Sequence, residues 1–598
     1  MFKLTKIIFR CPTALSYESN IWKTIVLRQR RHYSPAEPQP SAKNGAGKGP
    51  GSSSSNTGRR IGWQLPILAG AGLASGTLIY AYKSGAFNWF LESTGDEEQQ
   101  VPSKSEQQRA TPSPTLPKLD LPGSVKYLLI GAGTASFAAF RAIRGSDPRA
   151  QVLVIGDEDY YPYMRPPLSK ELWFNEDLAE TKRLQFQQWN GKRRSVFFEH
   201  EDFYCPAKDL LVSENGCVAV VTGRKVIGLD LEKRRAYLND GNEISFEKCL
   251  LATGGKPKNL PVFEKAPDNI RKKISLYRAI KDFKEIDELL KKVSSIAVIG
   301  GGFLGSELAC ALARRGKKQG LEVYQIFPEN GNMSKVLPAY LSSWTTEKVA
   351  AEGVKVIPNA LVQDATVTSN KINLKLSNGK EVSTNHAVVA VGLEPNTELA
   401  ESSGLELDKK QGGFLVNSEL EARSNVWAAG DVACFYDSKL GRRRVEHHDH
   451  AVVSGRLAGD NMTGAGKSYT HQSMFWSDLG SNVSYEAIGI VDSFLPTVAF
   501  FAKNDEKKLA TVEVAQTNDA GDASTKDPTS LIPSSPSKLG QEYGKGVIFY
   551  MRDETIVGIL LWNIFNRMPL ARRILKEGRQ YEDLNEVAKL FTIHEVEE

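Results

Sequence analysis

Two glycine-rich motifs are the features of this sequence that most directly predict chemistry. The first runs from Gly131 to Ser136 and the second from Gly300 to Gly305. Each follows a run of apolar residues typical of a buried strand and precedes a run typical of a helix. In that context the glycines allow a tight turn and let a pyrophosphate approach the backbone at the start of the helix. The two motifs therefore predict two dinucleotide sites, although Ser136 replaces the third glycine of the first motif.

An acidic residue follows each motif at the end of the next predicted strand. Asp157 comes after the strand at 151–155, and Glu329 comes after the strand at 321–327. A carboxylate in this position accepts hydrogen bonds from an adenosine ribose. Glu329 would also repel a 2′-phosphate, so the second site is expected to prefer NADH to NADPH.

The order of the motifs predicts the domain organisation. In flavoproteins with two dinucleotide sites, the first motif binds FAD and the NAD domain is inserted in the FAD domain. Two later strands could return to the flavin, one from Cys249 to Gly254 and one from Asn425 to Asp431. We expect an α/β protein with two Rossmann-like dinucleotide-binding domains and a C-terminal α+β domain. The expected boundaries are 121–255 and 393–470 for the FAD domain, 256–392 for the NAD domain and 471–598 for the C-terminal domain, with a disordered insert at 503–543.

The N-terminal part of the chain predicts targeting and anchoring rather than a folded domain. Residues 1–33 carry seven basic residues and one acidic residue, which accounts for the whole formal net charge of +6, and they predict a mitochondrial presequence. A Ser/Gly/Pro linker at 34–60 precedes an uncharged stretch at 61–82, which predicts a single transmembrane helix or, alternatively, a buried helical hairpin. A tether at 83–120 follows. Two arginines directly before the span predict that the catalytic part faces the intermembrane space.

The cysteines and histidines predict neither a metal site nor a disulfide scaffold. The cysteines include no close-spaced pair, so we expect single thiols. Three histidines cluster at His447, His448 and His450, but no further Cys or His cluster completes a zinc site, and no metal is expected. Asp449 is expected to cap the helix that follows. The six cysteines are Cys11, Cys205, Cys217, Cys249, Cys310 and Cys434.

Five further segments carry a resemblance to a known family. They are Met164–Trp173, Gly300–Leu308, Arg444–His450, Phe475–Gly480 and Leu561–Pro569. With them the chain resembles the mitochondrial apoptosis-inducing factor family from about Leu116 to the C-terminus. The flavin reductases of bacterial ferredoxins, a wider family, share the Arg-Pro-Pro-Leu-Ser-Lys element and both glycine motifs.

The resemblance implies a set of cofactor-binding residues. It places Lys170 in an ion pair with Glu307 beside the flavin, and His447 against the flavin and nicotinamide, as the three catalytic residues. The family commonly has Glu where Asp157 stands. The implied FAD contacts are Gly131, Gly133, Thr134, Ala135, Asp157, Arg165, Lys170, Val226, Arg278, Asp431 and His447, with Ala132 and His448 also contacting a cofactor. The implied NADH contacts are Trp189, Gly301, Gly302, Phe303, Leu304, Glu329, Lys335, Gly392, Glu446, His447, Trp476, Glu486 and Asn566.

Three hypotheses about function follow. The motifs predict hydride transfer from NADH to FAD, with a quinone, a small redox protein or oxygen as acceptor. The resemblance implies instead a reduced flavin–NAD charge-transfer dimer that controls binding of import and respiratory-assembly proteins at the inner membrane. It also implies release to the cytosol and nucleus in caspase-independent apoptosis. A third hypothesis, a DNA patch of Lys248, Lys258 and a predominantly solvated loop at 442–444, predicts weak, salt-sensitive binding, since the net charge beyond residue 33 gives no general basic footprint.

Overall fold

The computed structural model describes residues 116–188, 191–480, 483–502, 510–515 and 543–593. The predicted presequence, linker and transmembrane helix, and the tether up to residue 115, lie outside these residues. Within the described ranges, the structure contains no helix of the length and apolarity that crossing a membrane requires.

The first sheet carries the first glycine motif. Its central strand, Ser124–Ile130, is buried from Tyr127 onward and pairs in parallel with both neighbours, as expected for a strand covered on both faces. Strand Val426–Ala428 joins the same sheet beside Glu243–Leu251, so the chain returns to this sheet late in the sequence. The strand order is Glu421–Arg423, Val426–Ala428, Glu243–Leu251, Ser124–Ile130, Gln151–Ile155 and Cys217–Val221, with Val226–Asp230 and Arg235–Leu238 attached through the Glu243–Leu251 strand.

Two helices pack closely against each other on this sheet. Helix Thr134–Ser146 follows the first motif, and helix His448–Met462 crosses it. A Cβ at Gly455 would lie 2.2 Å from the carbonyl oxygen of Ala135, and one at Gly459 would lie 2.4 Å from that of Ala139. These glycines therefore set the close approach of the two helices.

The second sheet is fully parallel and carries the second motif. Its strand order is Ile274–Leu276, His386–Val389, Ser295–Ile299, Glu322–Ile326 and Val354–Ile357. Its helices are Ile280–Leu290, Phe303–Gly316 and Ala339–Ala351, and the antiparallel strands Val362–Thr368, Lys371–Leu376 and Glu381–Thr384 lie beside it. The chain enters and leaves this region through one antiparallel pair, Gly255–Pro257 with Leu393–Pro395. The second motif is thus inserted between two halves of the first sheet.

The third sheet is antiparallel and packs on the core of the second sheet. Trp562 of this sheet lies 5.7 Å from the ring of Trp344, centroid to centroid. Strand Ala510–Ala515 pairs with Thr497–Phe501, so the prediction of disorder is wrong for these six residues. The strand order is Met474–Leu479, Val483–Gly489, Thr555–Trp562, Gly546–Arg552, Thr497–Phe501 and Ala510–Ala515, followed along the chain by helices Met568–Glu577 and Leu584–Lys589.

Short elements complete the described chain. The helical turns are Pro166–Leu168, Glu171–Phe174, Leu178–Lys182, Glu201–Phe203, Ala207–Val212, Pro261–Glu264, Asp268–Arg271, Lys317–Gln319, Leu399–Ser403 and Gly430–Val432. The remaining strands are Gln185–Gln187 with Arg193–Ser195, and Phe414–Leu415 with Ala433–Asp437 and Gly441–Arg444. Arg442 to Arg444 therefore lie in a paired strand, which corrects the expectation of a solvated loop.

The structure also corrects the expectation that the cysteines are single thiols. Cys205 and Cys217 form a disulfide. The amide of Cys205 donates to the carbonyl of Val218 at 3.0 Å, and this backbone pairing brings together two cysteines that are 12 residues apart. Cys249, Cys310 and Cys434 are buried free thiols, and Cys11 lies outside the described residues.

Candidate functional site

A cavity of about 990 Å³ lies where the two glycine turns face each other. The turns follow the strands that end at Ile130 and Ile299, so the carboxyl ends of two parallel sheets open into one space. Ligands of open α/β sheets bind at such strand ends. The volume of the cavity and its lining by residues of both glycine turns suit two dinucleotides that meet inside it.

Most of the residues expected to bind cofactors line this cavity. Those lining it are Gly131, Ala132, Gly133, Thr134, Ala135, Asp157, Arg165, Lys170, Arg278, Gly301, Gly302, Phe303, Leu304, Glu307, Glu329, Lys335, Gly392, Asp431, Glu446, His447 and His448. Four others, Val226, Trp476, Glu486 and Asn566, are not among the lining residues. Trp189 lies outside the described residues.

The first glycine turn fits a pyrophosphate cradle. Gly131 has φ +103°, and a Cβ there would lie 2.2 Å from the carbonyl oxygen of Ala252, so only glycine fits. Ser136 is buried, and its hydroxyl donates to the carbonyl of Gly131. The serine that departs from the motif therefore ties the helix to the turn by a hydrogen bond. The backbone beside Gly133 stays open to a ligand, since a Cβ there would meet no atom within 4 Å.

Paired charges surround the FAD end of the cavity. Arg165 lies 2.5 Å from the carboxylate of Glu158, which also accepts from the hydroxyl of Tyr163 at 2.6 Å. Although burial alone would raise it, Arg165 and Tyr163 hold the pKa of Glu158 below its usual value. Arg278 and Asp431 form a second pair at 2.7 Å. Sequence reasoning selected Asp157 and missed the adjacent Glu158, whose only signal was its place directly after the strand.

A buried lysine–glutamate pair lies at the centre of the site. The Nζ of Lys170 is 3.0 and 3.1 Å from the two oxygens of Glu307, and each side chain is only 6% exposed. Glu307 also accepts from Ser169 at 2.6 Å and from Ser477 at 2.8 Å. Burial alone would lower the pKa of Lys170, but Glu307 and neighbouring carboxylates raise it. The lysine is therefore held as a cation at the cavity wall.

Two buried aromatic side chains hold the backbone just before Lys170. The carbonyl of Leu168 accepts from the indole of Trp173 at 2.6 Å and from the hydroxyl of Tyr277 at 2.6 Å. Both rings are fully buried. Because two rigid aromatic donors hold the residue two positions earlier, Lys170 is presented in one orientation.

The second glycine turn is held by a buried polar network. A Cβ at Gly305 would lie 2.3 Å from the carbonyl oxygen of Gly300, which explains the full motif here. The amide of Gln325 donates to that same carbonyl at 3.0 Å, and Asn332 donates to Gln325 at 2.9 Å and to Ser306 at 2.8 Å. The network fixes a turn suited to a second pyrophosphate, and sequence reasoning did not find it.

The acidic residue of the second site faces an exposed lysine. Glu329 and Lys335 are 3.2 Å apart, with side chains 26% and 80% exposed. The amide of Ser493 donates to the backbone carbonyl of Lys335 at 3.1 Å, so the third sheet supports this loop. A ribose hydroxyl can compete for such an open carboxylate.

The three clustered histidines have different surroundings. His447 packs on Phe475 with 4.6 Å between ring centroids, and burial and then Arg443 lower the pKa of His447 to about 4. Its ring is therefore neutral, and its Nδ1 has no hydrogen-bond partner in the described part of the chain. His450 bonds the hydroxyl of Tyr469 through Nδ1 at 2.7 Å, whereas His448 lines the cavity.

The helix His448–Met462 is not capped by the residue that the sequence predicted. His447 is its N-cap residue, and Asp449 lies in its first turn. The carboxylate of Asp449 accepts from His471 at 2.7 Å and from the amide of Met474 at 3.0 Å. The prediction that Asp449 caps the helix is wrong, because this carboxylate ties the helix to the third sheet.

Trp476 and Glu486 lie behind the cavity wall as direct neighbours on adjacent strands. The Nζ of Lys170 lies 5.7 Å from the centre of the Trp476 ring, so the tryptophan packs on the central ion pair. Burial, and then the charge of Asp478, raise the pKa of Glu486 to about 8. Its Oε2 atom has no hydrogen-bond partner among the described residues.

Two family models match successive parts of the described chain. The model of the pyridine nucleotide-disulphide oxidoreductases matches residues 125–455, and the C-terminal model of mitochondrion-associated apoptosis-inducing factor matches residues 458–577. A crystal structure of a ferredoxin reductase from Rhodopseudomonas palustris shares the fold, with a TM-score of 0.58 and 22% identity over 78% of this chain and 100% of that chain. The fold and site thus define an FAD- and NAD(H)-binding oxidoreductase of the pyridine nucleotide-disulphide class.

Two curated relatives narrow the family. The chain is 51% identical over 489 residues to a putative apoptosis-inducing factor 1, mitochondrial, of Drosophila melanogaster. The matched region covers 79% of this chain and 66% of the Drosophila protein, just under two thirds of that protein's length. It is 38% identical over 469 residues to apoptosis-inducing factor 1, mitochondrial, of Dictyostelium discoideum, and this match covers 77% of this chain and 80% of the Dictyostelium protein. The chain therefore belongs to the apoptosis-inducing factor family, and the resemblance seen in the sequence is confirmed.

Proposed function

We propose that this chain transfers a hydride from NADH to bound FAD inside the single cavity and that the reduced state controls binding of partner proteins. One observation carries the hydride-transfer step: residues of both glycine turns line the same cavity of about 990 Å³, and Lys170 and Glu307 line it too. Two cofactors bound to these turns would meet there, so proximity and orientation supply most of the rate enhancement.

The chain's own residues position the reactants in this proposal. FAD and NADH, when bound, supply the hydride chemistry itself. The first turn, Arg165 and Arg278 hold the pyrophosphate end of FAD. Lys170 stays charged beside the flavin ring because Glu307 partners it. His447 remains neutral and forms an apolar wall on Phe475. No side chain has to donate or accept a proton for the hydride to move.

The second turn and its acidic residue select NADH. Glu329 would accept hydrogen bonds from the adenosine ribose, with Lys335 displaced toward solvent, where it is already mostly exposed. A 2′-phosphate would meet the carboxylate at close range and be repelled. Gly392 and Glu446 line the same cavity and complete the nicotinamide half.

The finer part of the proposal is a redox-gated interaction. Reduction by NADH gives a flavin–NAD charge-transfer complex, the protein dimerises, and the dimer binds intermembrane-space import and respiratory-assembly proteins. Family membership supports this, and the mitochondrial relatives support a mitochondrial location. An inner-membrane anchor at 61–82, release to cytosol and nucleus, and weak DNA binding are further parts of the same proposal.

The DNA-binding part has limited support from the proposed patch. Lys248 donates to the carbonyl of Met462, and Arg444 pairs with Glu446 at 2.8 Å. Arg443 is bound to Gln472 and to the carbonyl of Gly489. Several of the cations are therefore engaged within the protein, so any DNA binding should be weak and lost at higher salt.

An alternative function is NADH-dependent reduction of a small redox protein or a quinone. The shared fold with a ferredoxin reductase favours it. Anaerobic gel filtration with and without NADH, beside steady-state turnover with a quinone and with a ferredoxin, separates the two. We expect a dimer with NADH and slow turnover. A monomer with fast acceptor-dependent turnover would support the reductase instead. Gly300→Ala, which should retain FAD but lose NADH binding, is the control that must stay monomeric.

A further inference from the structure

The carboxylate of Glu307 joins three parts of the chain. Lys170 and Ser169 come from the FAD part, Glu307 lies in the second turn of the helix that begins at Phe303, and Ser477 comes from the third sheet. Ser477 is fully buried and separated from Glu307 by 170 residues. Its hydroxyl donates to Oε1, while that of Ser169 donates to Oε2. Each carboxylate oxygen therefore has one hydroxyl donor in addition to the lysine.

This arrangement fixes the carboxylate in a way that the lysine alone cannot. An ammonium on a flexible stem attracts either oxygen from many directions. Two hydroxyls on opposite oxygens hold the plane of the carboxylate, and charge-assisted hydrogen bonds of this kind are about twice as strong as neutral ones. Trp476, the neighbour of Ser477 on the same strand, packs on the Nζ of Lys170 at 5.7 Å. One strand of the C-terminal domain thus contacts both members of the ion pair.

We infer that Ser477 is a positioning residue for hydride transfer: acting through Glu307, it fixes the ammonium of Lys170 at the cavity wall. The C-terminal domain is then part of the redox site. This inference rests on the proposed role of the Lys170–Glu307 pair. A cation held close to the flavin favours the reduced ring, which carries more negative charge, so a displaced lysine lowers the flavin midpoint potential.

The test compares two substitutions of buried strand serines in the full protein. Ser477→Ala removes one hydroxyl donor to Glu307. Ser295→Ala is the matched control, because Ser295 is equally buried, its hydroxyl donates to Asn385 at 3.0 Å, and it does not line the cavity. The flavin midpoint potential is measured by dye equilibration without NADH, beside FAD content and melting temperature. We expect Ser477→Ala to lower the potential by about 30 mV, equivalent to a tenfold change for a two-electron couple. Ser295→Ala should leave it unchanged.

Kinetics give a second readout. With Ser477→Ala, flavin reduction at saturating NADH should slow about tenfold, the effect of one charge-assisted hydrogen bond, while the NADH concentration at half-saturation stays constant. If Ser477→Ala does not retain FAD, Ser169→Ala tests the same carboxylate from its other oxygen, with a shift in the same direction expected.

Two negative outcomes are distinguishable. If Lys170→Met lowers the potential but Ser477→Ala and Ser169→Ala do not, the positioning inference is overturned and the proposed function stands. If Lys170→Met leaves the potential unchanged, the role proposed for the ion pair fails, and this inference fails with it. An equal shift in Ser477→Ala and Ser295→Ala also overturns the inference, because it would show a general effect of removing a buried serine hydroxyl.

Discussion

Two lysine–glutamate pairs line the same cavity in opposite environments. Lys170 and Glu307 are 3.0 Å apart and almost completely buried, whereas Lys335 and Glu329 are 3.2 Å apart with the lysine 80% exposed. The first pair has two serine donors and an aromatic neighbour. Two pairs with similar distances therefore differ in burial and in the number of supporting contacts.

The difference in burial separates a fixed site from an exchangeable one. A buried charge without its partner is costly, so the first pair has to stay assembled. An exposed pair contributes little to stability and is screened by salt. Under the proposed function, the carboxylate of Glu329 would therefore change partner when the ribose of NADH binds. Under the proposed function, the buried pair would belong to a permanent FAD end of the cavity and the exposed pair to an open NADH end.

The largest expected effect breaks the buried pair. Lys170→Met leaves Glu307 buried without a cation and should lower the free energy of unfolding by about 3–5 kcal/mol. Lys335→Met, the exposed counterpart, should lower it by only a small fraction of that. Replacing both members, Lys170→Met with Glu307→Leu, should recover much of the loss. Urea denaturation of the FAD-loaded proteins measures all three, and equal losses for the two single lysine variants would contradict the comparison.

Glu486, a buried glutamate whose Oε2 atom has no hydrogen-bond partner in the described part of the chain, extends the comparison to pH. The pKa of Glu486 is raised from 4.5 to about 8 by burial and Asp478, so the folded state holds a proton that the unfolded chain releases. The contribution of Glu486 to the free energy of unfolding is complete below pH 4.5 and is lost as the pH rises through 8. Between these two values the folded state binds more protons than the unfolded chain does. Glu486→Gln should remove a pH-dependent loss on the order of 3 kcal/mol between pH 5 and 8. Denaturation midpoints measured across this range check it, and a wild-type slope in the variant would rule it out.

We expect that a change in the second glycine turn impairs NADH binding without disturbing FAD binding. In Gly300→Ala the new Cβ would lie 2.2 Å from the carbonyl oxygen of Ala390, at φ +135°. We expect NADH-dependent flavin reduction to fall about 100-fold from backbone strain of a few kcal/mol, with normal FAD content. Gly145→Ala, which meets no atom within 4 Å, is the matched control. Loss of FAD from Gly300→Ala would show that the two ends are not independent.

The smallest expected effect concerns the exposed pair. Glu329→Ala should lower the preference for NADH over NADPH about tenfold, or about 1.4 kcal/mol, because the repulsion of a 2′-phosphate disappears. Glu322→Ala removes a comparable exposed lysine pair outside the cavity and should change nothing. The ratio of kcat/KM for the two nucleotides is the measurement, and an unchanged ratio in Glu329→Ala would exclude this role.

Features encoded over short stretches of sequence could be predicted. The two glycine turns, their acidic residues at 157 and 329, and the late return of the chain to the first sheet follow from local spacing and order. Each glycine turn depends on a strand, a turn and a helix that are contiguous in sequence, whereas the late return follows from the order of the two motifs. The resemblance added residues such as Lys170 and Glu307, which no spacing rule connects.

Features that depend on distant contacts could not be predicted. Ser477 reaches Glu307 across 170 residues, and a buried serine on a strand carries no signal of its own. The Cys205–Cys217 disulfide has a spacing that matches no motif, because the backbone pairing of two segments brings the thiols together. Glu158 was overlooked since the motif pattern selects one acidic residue and cannot show which carboxylate Arg165 contacts.

The most direct test of the account is anaerobic stopped-flow absorbance of the purified protein with NADH, followed by admission of air. We expect bleaching of the flavin band together with a long-wavelength band that persists after air enters. Prompt reoxidation without a long-wavelength band would contradict the redox-gated proposal and indicate an ordinary reductase.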